Sequence, residues 1–169
     1  PNFANMSSVC YYPRNLASTL TCGFMSTPDY EYPPAGIVMW GVNTAETAVG
    51  EFKRATEALD RGSRLIVIDP WETGYARRAD IWVKPRPTTD LALALGMINV
   101  IITENLYDKE FVEKWTVGFD RLVAHVKDYT PEKVAEITWV PAETIRKVAR
   151  FYAITKPACI AWGNGLDNN

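Results

Sequence analysis

Two short apolar runs, Ile37-Val38-Met39-Trp40 and Leu65-Ile66-Val67-Ile68, bracket a stretch whose apolar residues recur at helical spacing. A run with no polar residue in it belongs to a strand covered on both faces, the condition of a parallel strand inside an α/β sheet. Between the runs, Ala45, Val49, Phe52, Ala55 and Leu59 fall on one face of a helix over residues 45–61. Thr44 is placed to cap its start, and Gly62 stands just past its end. Strand, helix and strand in this order form a βαβ unit, whose crossover is right-handed in nearly all cases. The expected fold class is therefore α/β: a mostly parallel open sheet with helices on both faces, Rossmann-like.

The rest of the chain extends the pattern. Residues 1–34 are rich in Ser, Thr, Asn, Tyr and Pro and read as mostly irregular, with a little helix around residues 15–21. After a short helix over residues 73–78, Asp80-Ile81-Trp82-Val83-Lys84 reads as a third strand ended by Pro85 and Pro87. Thr88-Thr89-Asp90 precedes a helix over residues 91–104 that is apolar almost all round and is expected to lie against the sheet. Three shorter helices, starting near Asp108, Thr130 and Pro141, make a small helical insert at about residues 105–155. The last of them is expected to bury Ile145, Val148, Ala149 and Tyr152. Ala158-Cys159-Ile160-Ala161-Trp162 then returns as a strand. The expected organisation is an N-terminal segment, 1–34, followed by a dinucleotide-binding α/β domain, 35–169, that carries the insert.

Composition removes several function classes. With 18 basic and 20 acidic residues the net charge is −2, which leaves no footprint for nucleic acid. The longest apolar run, residues 91–102, is interrupted by Gly96 and Asn99 and falls short of the roughly 20 residues of a membrane-spanning helix. No secretory pattern opens the chain, which starts at Pro1, so the native start is expected to lie elsewhere and the compartment is not legible. Cys10, Cys22 and Cys159 form no C-x-x-C pair, so neither a disulfide framework nor an iron–sulfur or zinc site is expected within these residues. His125, the one histidine, sits among charged helical residues and reads as solvated. Without a Ser/His/Asp set, nucleophilic hydrolysis has no support.

Ligands of open parallel sheets bind beyond the carboxyl ends of the strands, which here selects residues 41–43, 69–71, 85–90 and 163–165. Gly41-Val42-Asn43 can turn backbone N–H groups towards a diphosphate, or be a plain strand-to-helix turn. Asp69 can accept from a ribose diol or a base, or merely open a turn before Pro70. Asp90 can complement the dipole of its helix, or accept from the N–H donors of a guanine. Cys10, in an irregular stretch, is either a buried thiol or a thiolate metal ligand. Cys22 and Cys159 carry no such case.

Several strings match one family in order and spacing. Ile37-Val38-Met39-Trp40-Gly41-Val42-Asn43-Thr44-Ala45-Glu46-Thr47, Val67-Ile68-Asp69-Pro70-Trp71-Glu72-Thr73, Ala79-Asp80-Ile81-Trp82-Val83 and Arg86-Pro87-Thr88-Thr89-Asp90-Leu91-Ala92-Leu93 resemble the dimethyl sulfoxide reductase family of molybdopterin enzymes. Glu104-Asn105-Leu106-Tyr107-Asp108, Tyr129-Thr130-Pro131-Glu132 and Val140-Pro141-Ala142-Glu143 look like that family's helical insert. The resemblance implies a bis(molybdopterin guanine dinucleotide) cofactor carrying molybdenum or tungsten. It implies that Trp40, Gly41, Val42, Asn43, Glu46 and Thr47, with Asp69, Pro70, Trp71, Glu72 and Thr73, hold one guanine dinucleotide. Thr88, Thr89 and Asp90 then stand beside the guanine, Gly163 and Gly165 near the pterin, and Cys10 is the metal ligand and catalytic residue.

The same resemblance implies a longer parent enzyme, inactive when reduced to this piece, that performs two-electron redox or oxygen-atom chemistry in anaerobic metabolism on a small-molecule substrate. Its implied partners are the remaining domains of the parent chain, which include an iron–sulfur cluster, and an electron-transfer subunit or domain. Formate dehydrogenases of the family place His directly after the metal-binding residue, where this chain has Tyr11, so a Cys-ligated reductase, hydratase or dehydroxylase is an equal expectation. Trp71 stands where many members carry Arg. Two rival readings stay open: an NAD-binding dehydrogenase domain, which suits the βαβ unit and Asp69 but lacks G-x-G-x-x-G, and a non-catalytic structural or interaction domain.

Overall fold

The computed structural model describes residues 12–25 and 27–167, so Cys10 and Tyr11 lie outside the described residues. Strands β1 (Gly36–Trp40), β2 (Arg64–Ile68), β3 (Ile81–Val83) and β4 (Ala158–Trp162) form one parallel sheet in the order β3-β2-β1-β4. Register aligns the last residues of the three longer strands, with Trp40 opposite both Ile68 and Trp162. The helices are α1 (Tyr12–Cys22), α2 (Thr44–Thr47), α3 (Val49–Asp60), α4 (Asp90–Thr103), α5 (Lys109–Trp115), α6 (Phe119–Val126), α7 (Pro131–Thr138), α8 (Ala142–Ile154) and α9 (Asn164–Asp167).

Burial explains the unalternated runs. Ile37 and Met39 join Leu65 and Val67 in a core with Ala55 and Ala58 of α3, on one side of the sheet. Val38, Trp40, Ile66 and Ile68 join a second core with Leu93, Met97 and Val100 of α4, Val134 of α7 and Ile145 and Val148 of α8. Both faces of β1 are thus dry, and no position along it tolerates a polar side chain. The chain steps outward from β1 through β2 to β3, then returns to lay β4 on the other side of β1. A crossover of constant hand that reverses direction must change faces, which is why α3 covers one side and α4, α7 and α8 the other. Between β1 and β4 lies the point where the strand order reverses, and ligands of such sheets bind outside the strand ends there.

Several local expectations are corrected. The helix over residues 45–61 is interrupted at Ala48, whose φ of −153° and ψ of 69° separate α2 from α3. Thr44 caps neither: Asn43 precedes α2 without a capping bond, and the Thr44 hydroxyl is buried against the Tyr75 hydroxyl at 2.7 Å. Over residues 73–78 only a 3-10 turn forms, Ala76–Arg78, with the Thr73 Oγ1 accepting the Ala76 N–H at 3.1 Å. Thr89 precedes α4 without capping it, because its hydroxyl donates to the Arg86 carbonyl. The stretch after α4 holds α5, α6, α7 and α8 rather than three helices. The added helix, α6, starts behind Gly118 at φ +79°. Pro131 opens α7 from its first turn, whereas Pro141 sits one position ahead of α8. Phe151 completes the buried face of α8, while Tyr152 is only half-buried. No described helix is long and apolar enough to cross a membrane.

Candidate functional site

A cleft of about 690 Å³ opens at the carboxyl ends of β1 and β4, where the strand order reverses. Gly41, Val42, Asn43 and Thr47 line it from the β1 side, and Trp162, Gly163, Asn164 and Gly165 from the β4 side. The two loops touch backbone to backbone. Gly41 adopts φ +57° and donates its N–H to the Ile68 carbonyl at 2.9 Å, while the Gly163 N–H donates to the Trp40 carbonyl at 3.1 Å. A Cβ on Gly163 would come within 2.6 Å of the Gly41 carbonyl oxygen, and one on Gly165 within 2.9 Å of the same atom. Loop-to-loop packing therefore requires these glycines, and the Gly41 N–H is already spent within the sheet.

Asn43 is a residue of this cleft that the protein leaves incomplete. Its backbone carbonyl accepts the N–H groups of Glu46 and Thr47 and the Thr47 hydroxyl, yet its side-chain Oδ1 is buried with no hydrogen-bond partner. Among the described residues no backbone acceptor takes the N–H of Val42 or Asn43. A buried acceptor without a donor costs about 1–3 kcal/mol, so one in a cleft wall fits a site that a polar ligand completes. The Tyr30 hydroxyl, from a residue that also lines the cleft, is likewise buried and unpaired, and burial pushes its pKa far above the usual phenol range.

A second group gathers at the ends of β2 and β3. Asp69 is half-buried, its Oδ1 accepts the Trp71 N–H at 2.8 Å across Pro70, and its carbonyl accepts the Trp82 indole N–H at 2.9 Å. Desolvation raises the Asp69 pKa, the Trp71 N–H pulls it down, and the charge of Asp90 adds to the rise. Asp90 begins α4 and is 7% exposed, and its Oδ1 accepts the Trp40 Nε1–H at 2.7 Å. Trp40 is itself 4% exposed, so its ring lies in the core and its polar edge meets Asp90.

The remaining candidates divide by exposure. Pro70, Trp71, Glu72 and Thr88 are exposed on the same strand-end rim, Thr88 with φ +68°, and Thr89 is half-buried. Thr73 is buried and committed to its own turn. Glu46 is exposed and stands outside the cleft wall. Arg14 of α1 carried no signal in the sequence, yet it lines the cleft, donates to Asn164 Oδ1 at 2.9 Å and lies over the Trp162 ring. Arg54 and Glu51 of α3 also reach the cleft wall. Among the described residues no group of three His, Cys, Asp or Glu side chains could hold a metal ion. Burial pushes the Cys159 thiol up to about 11, which keeps it protonated and a poor ligand.

Comparison with known proteins agrees with this fold. The family model described as molybdopterin oxidoreductase matches residues 22–169. Acetylene hydratase of Syntrophotalea acetylenica is 53% identical over 119 residues, which is 70% of this chain and 16% of the relative. Formate dehydrogenase H of Escherichia coli is 40% identical over 130 residues, covering 77% of this chain and 18% of its own. The solved structure of acetylene hydratase from Pelobacter acetylenicus superposes with a TM-score of 0.91 at 41% identity, over 99% of this chain and 23% of that one. The chain thus spans about a fifth of the length of these relatives. By sequence over most of its length and by fold over nearly all of it, the chain belongs to the molybdopterin oxidoreductase family.

Proposed function

We propose that this chain is the internal dinucleotide-binding domain, residues 35–169 with a preceding segment 1–34, of a longer molybdopterin enzyme. In this reading the cleft and the adjoining rim hold one guanine dinucleotide arm of a bis(molybdopterin guanine dinucleotide) cofactor. Family membership implies a molybdopterin cofactor with molybdenum or tungsten. When bound, that cofactor supplies two-electron redox or oxygen-atom chemistry.

The chain's own residues bind and orient. The N–H groups of Val42 and Asn43 suit a diphosphate, and the orphaned Asn43 Oδ1 accepts from a hydroxyl or ring N–H. Asp69 accepts from the ribose diol, as acidic residues at this strand end do in related sheets. Asp90 accepts from the ring and amino N–H donors of guanine. Gly163 and Gly165 let the β4 loop close against the β1 loop near the pterin. Cys10, outside the described residues, is the proposed thiolate ligand, a donor that suits these metals.

One observation carries the reading: a buried amide oxygen without a partner, in the wall of a cleft at the point where the strand order reverses. Exposed apolar side chains, Leu20 at 77%, Trp115 at 76% and Val117 at 98%, suit burial by further domains of the same parent chain. An iron–sulfur cluster and an electron-transfer partner belong to those domains in this account. The relatives named as hydratase and as formate dehydrogenase share this cofactor-binding stretch, so the substrate is proposed to be set elsewhere in the parent. A nicotinamide site is disfavoured because the loop after β1 is Gly41-Val42-Asn43 rather than G-x-G-x-x-G.

The test uses the parent protein purified without oxygen. Asn43→Ala and Asp90→Asn should each lower the guanine nucleotide and pterin retained after gel filtration, about threefold or more for one lost hydrogen bond. Cys10→Ala should keep the pterin and change the metal spectrum. Full retention in both site variants, with an unaltered spectrum in the third, would sink the proposal.

A further inference from the structure

The bond from Trp40 Nε1 to Asp90 Oδ1 joins residues fifty positions apart and is 2.7 Å long, within the range of charge-assisted hydrogen bonds. Both partners are buried, so each would bear a desolvation cost without the other. Trp40 ends β1, and Asp90 opens the helix that follows β3, so the bond ties the end of the first strand to the head of α4 across the end of β2. The two partners differ in freedom. The indole is 4% exposed and belongs to the core cluster that includes Val38, Ile68, Val83 and Leu93, which restricts the direction of its N–H. A carboxylate at the head of a helix otherwise turns about two side-chain torsions, and here one oxygen is pinned.

A carboxylate has about four lone-pair positions, and the indole N–H takes one of them. A pinned carboxylate recognises an edge that presents two donors side by side, as guanine does with its ring N–H and amino group. Adenine places a ring acceptor lone pair there instead, which a fixed carboxylate repels. We infer that Trp40, without touching the nucleotide, is the positioning residue that gives Asp90 its selectivity for guanine. This rests on the guanine site proposed above.

The test is calorimetric titration of the chain with GDP, ADP and xanthosine diphosphate, for wild type, Trp40→Phe, Asp90→Asn and the double variant. Wild type should prefer GDP over ADP. Trp40→Phe keeps a ring of similar shape and removes the donor. It should weaken GDP about three- to tenfold, the cost of re-ordering a freed side chain, and leave ADP unchanged. Asp90→Asn should exchange the preference from GDP to xanthosine diphosphate, and adding Trp40→Phe to it should weaken xanthosine diphosphate by a similar factor, because the amide oxygen still accepts the indole N–H.

Equal weakening of GDP and ADP in Trp40→Phe, or no weakening, would overturn the inference while leaving the guanine site standing. A wild type that does not distinguish GDP from ADP would remove the guanine site and the inference together. Should Trp40→Phe fail to fold, the indole N–H resonance of Trp40 in the wild type decides: it should shift with GDP and not with ADP, and no shift with GDP overturns the role.

Discussion

Asp69 carries a charge that its position at the end of β2 makes costly. Burial raises its pKa in the folded chain, with the Asp90 charge adding to the rise. The folded state therefore binds a proton more readily than the unfolded one, and stability falls as pH rises from the ordinary value of 3.8 through the raised one. Asp69→Asn keeps an acceptor for the Trp71 N–H and removes the charge, so it should be more stable than wild type at pH 7. Solvent screening of a half-exposed group keeps the gain below about 1 kcal/mol. The difference in denaturation midpoint should close below pH 3.8, and a gap that persists there would contradict the assignment. A charge kept at such a cost fits a binding role. Asp69 and Asp90 were legible in the sequence because strand ends select them without any knowledge of contacts. The Trp40 bond to Asp90, the reach of Arg14 into the cleft and the orphaned Asn43 amide were not, since each depends on tertiary placement that no local pattern encodes.

Helix α4 shows how packing overrides propensity at the level of an element. Gly96 lies in its middle, where glycine costs about 1 kcal/mol relative to alanine. A Cβ there would fall 2.9 Å and 3.0 Å from the two methyl carbons of Val134 on α7. Overpacking of this kind costs about 1–3 kcal/mol, so Gly96→Ala should destabilise by about 1 kcal/mol on balance. In a Val134→Ala background the obstruction is gone, and the same substitution should stabilise. Urea melts of the four proteins check the sign reversal, and a Gly96→Ala effect that is equal in both backgrounds would refute the contact. Strands β1 and β2 and helices α4, α7 and α8 were legible because their apolar runs and spacing agree, and at α7 the Thr130 cap agrees as well. The break at Ala48 was not: alanine is the strongest helix former, and the interruption accompanies the anchoring of Thr44 to Tyr75. Helix α6 was missed because it is only 8 residues long and its apolar Leu122 and Val123 remain more than a third exposed.

At the scale of the whole molecule, the βαβ unit carried the fold class, and the strand order β3-β2-β1-β4 follows from one crossover hand applied in two directions. That order puts the cleft between β1 and β4, where the loops of Gly41 and Gly163 meet. The account's central claim is that this cleft and the Asp69 and Asp90 rim cradle one arm of a guanine dinucleotide cofactor. Its most direct test is metal, pterin and guanine nucleotide analysis of the parent protein purified without oxygen. The account predicts guanine nucleotide and pterin in equal amounts, with molybdenum or tungsten at half that amount. A folded protein that carries neither metal nor guanine nucleotide would contradict it.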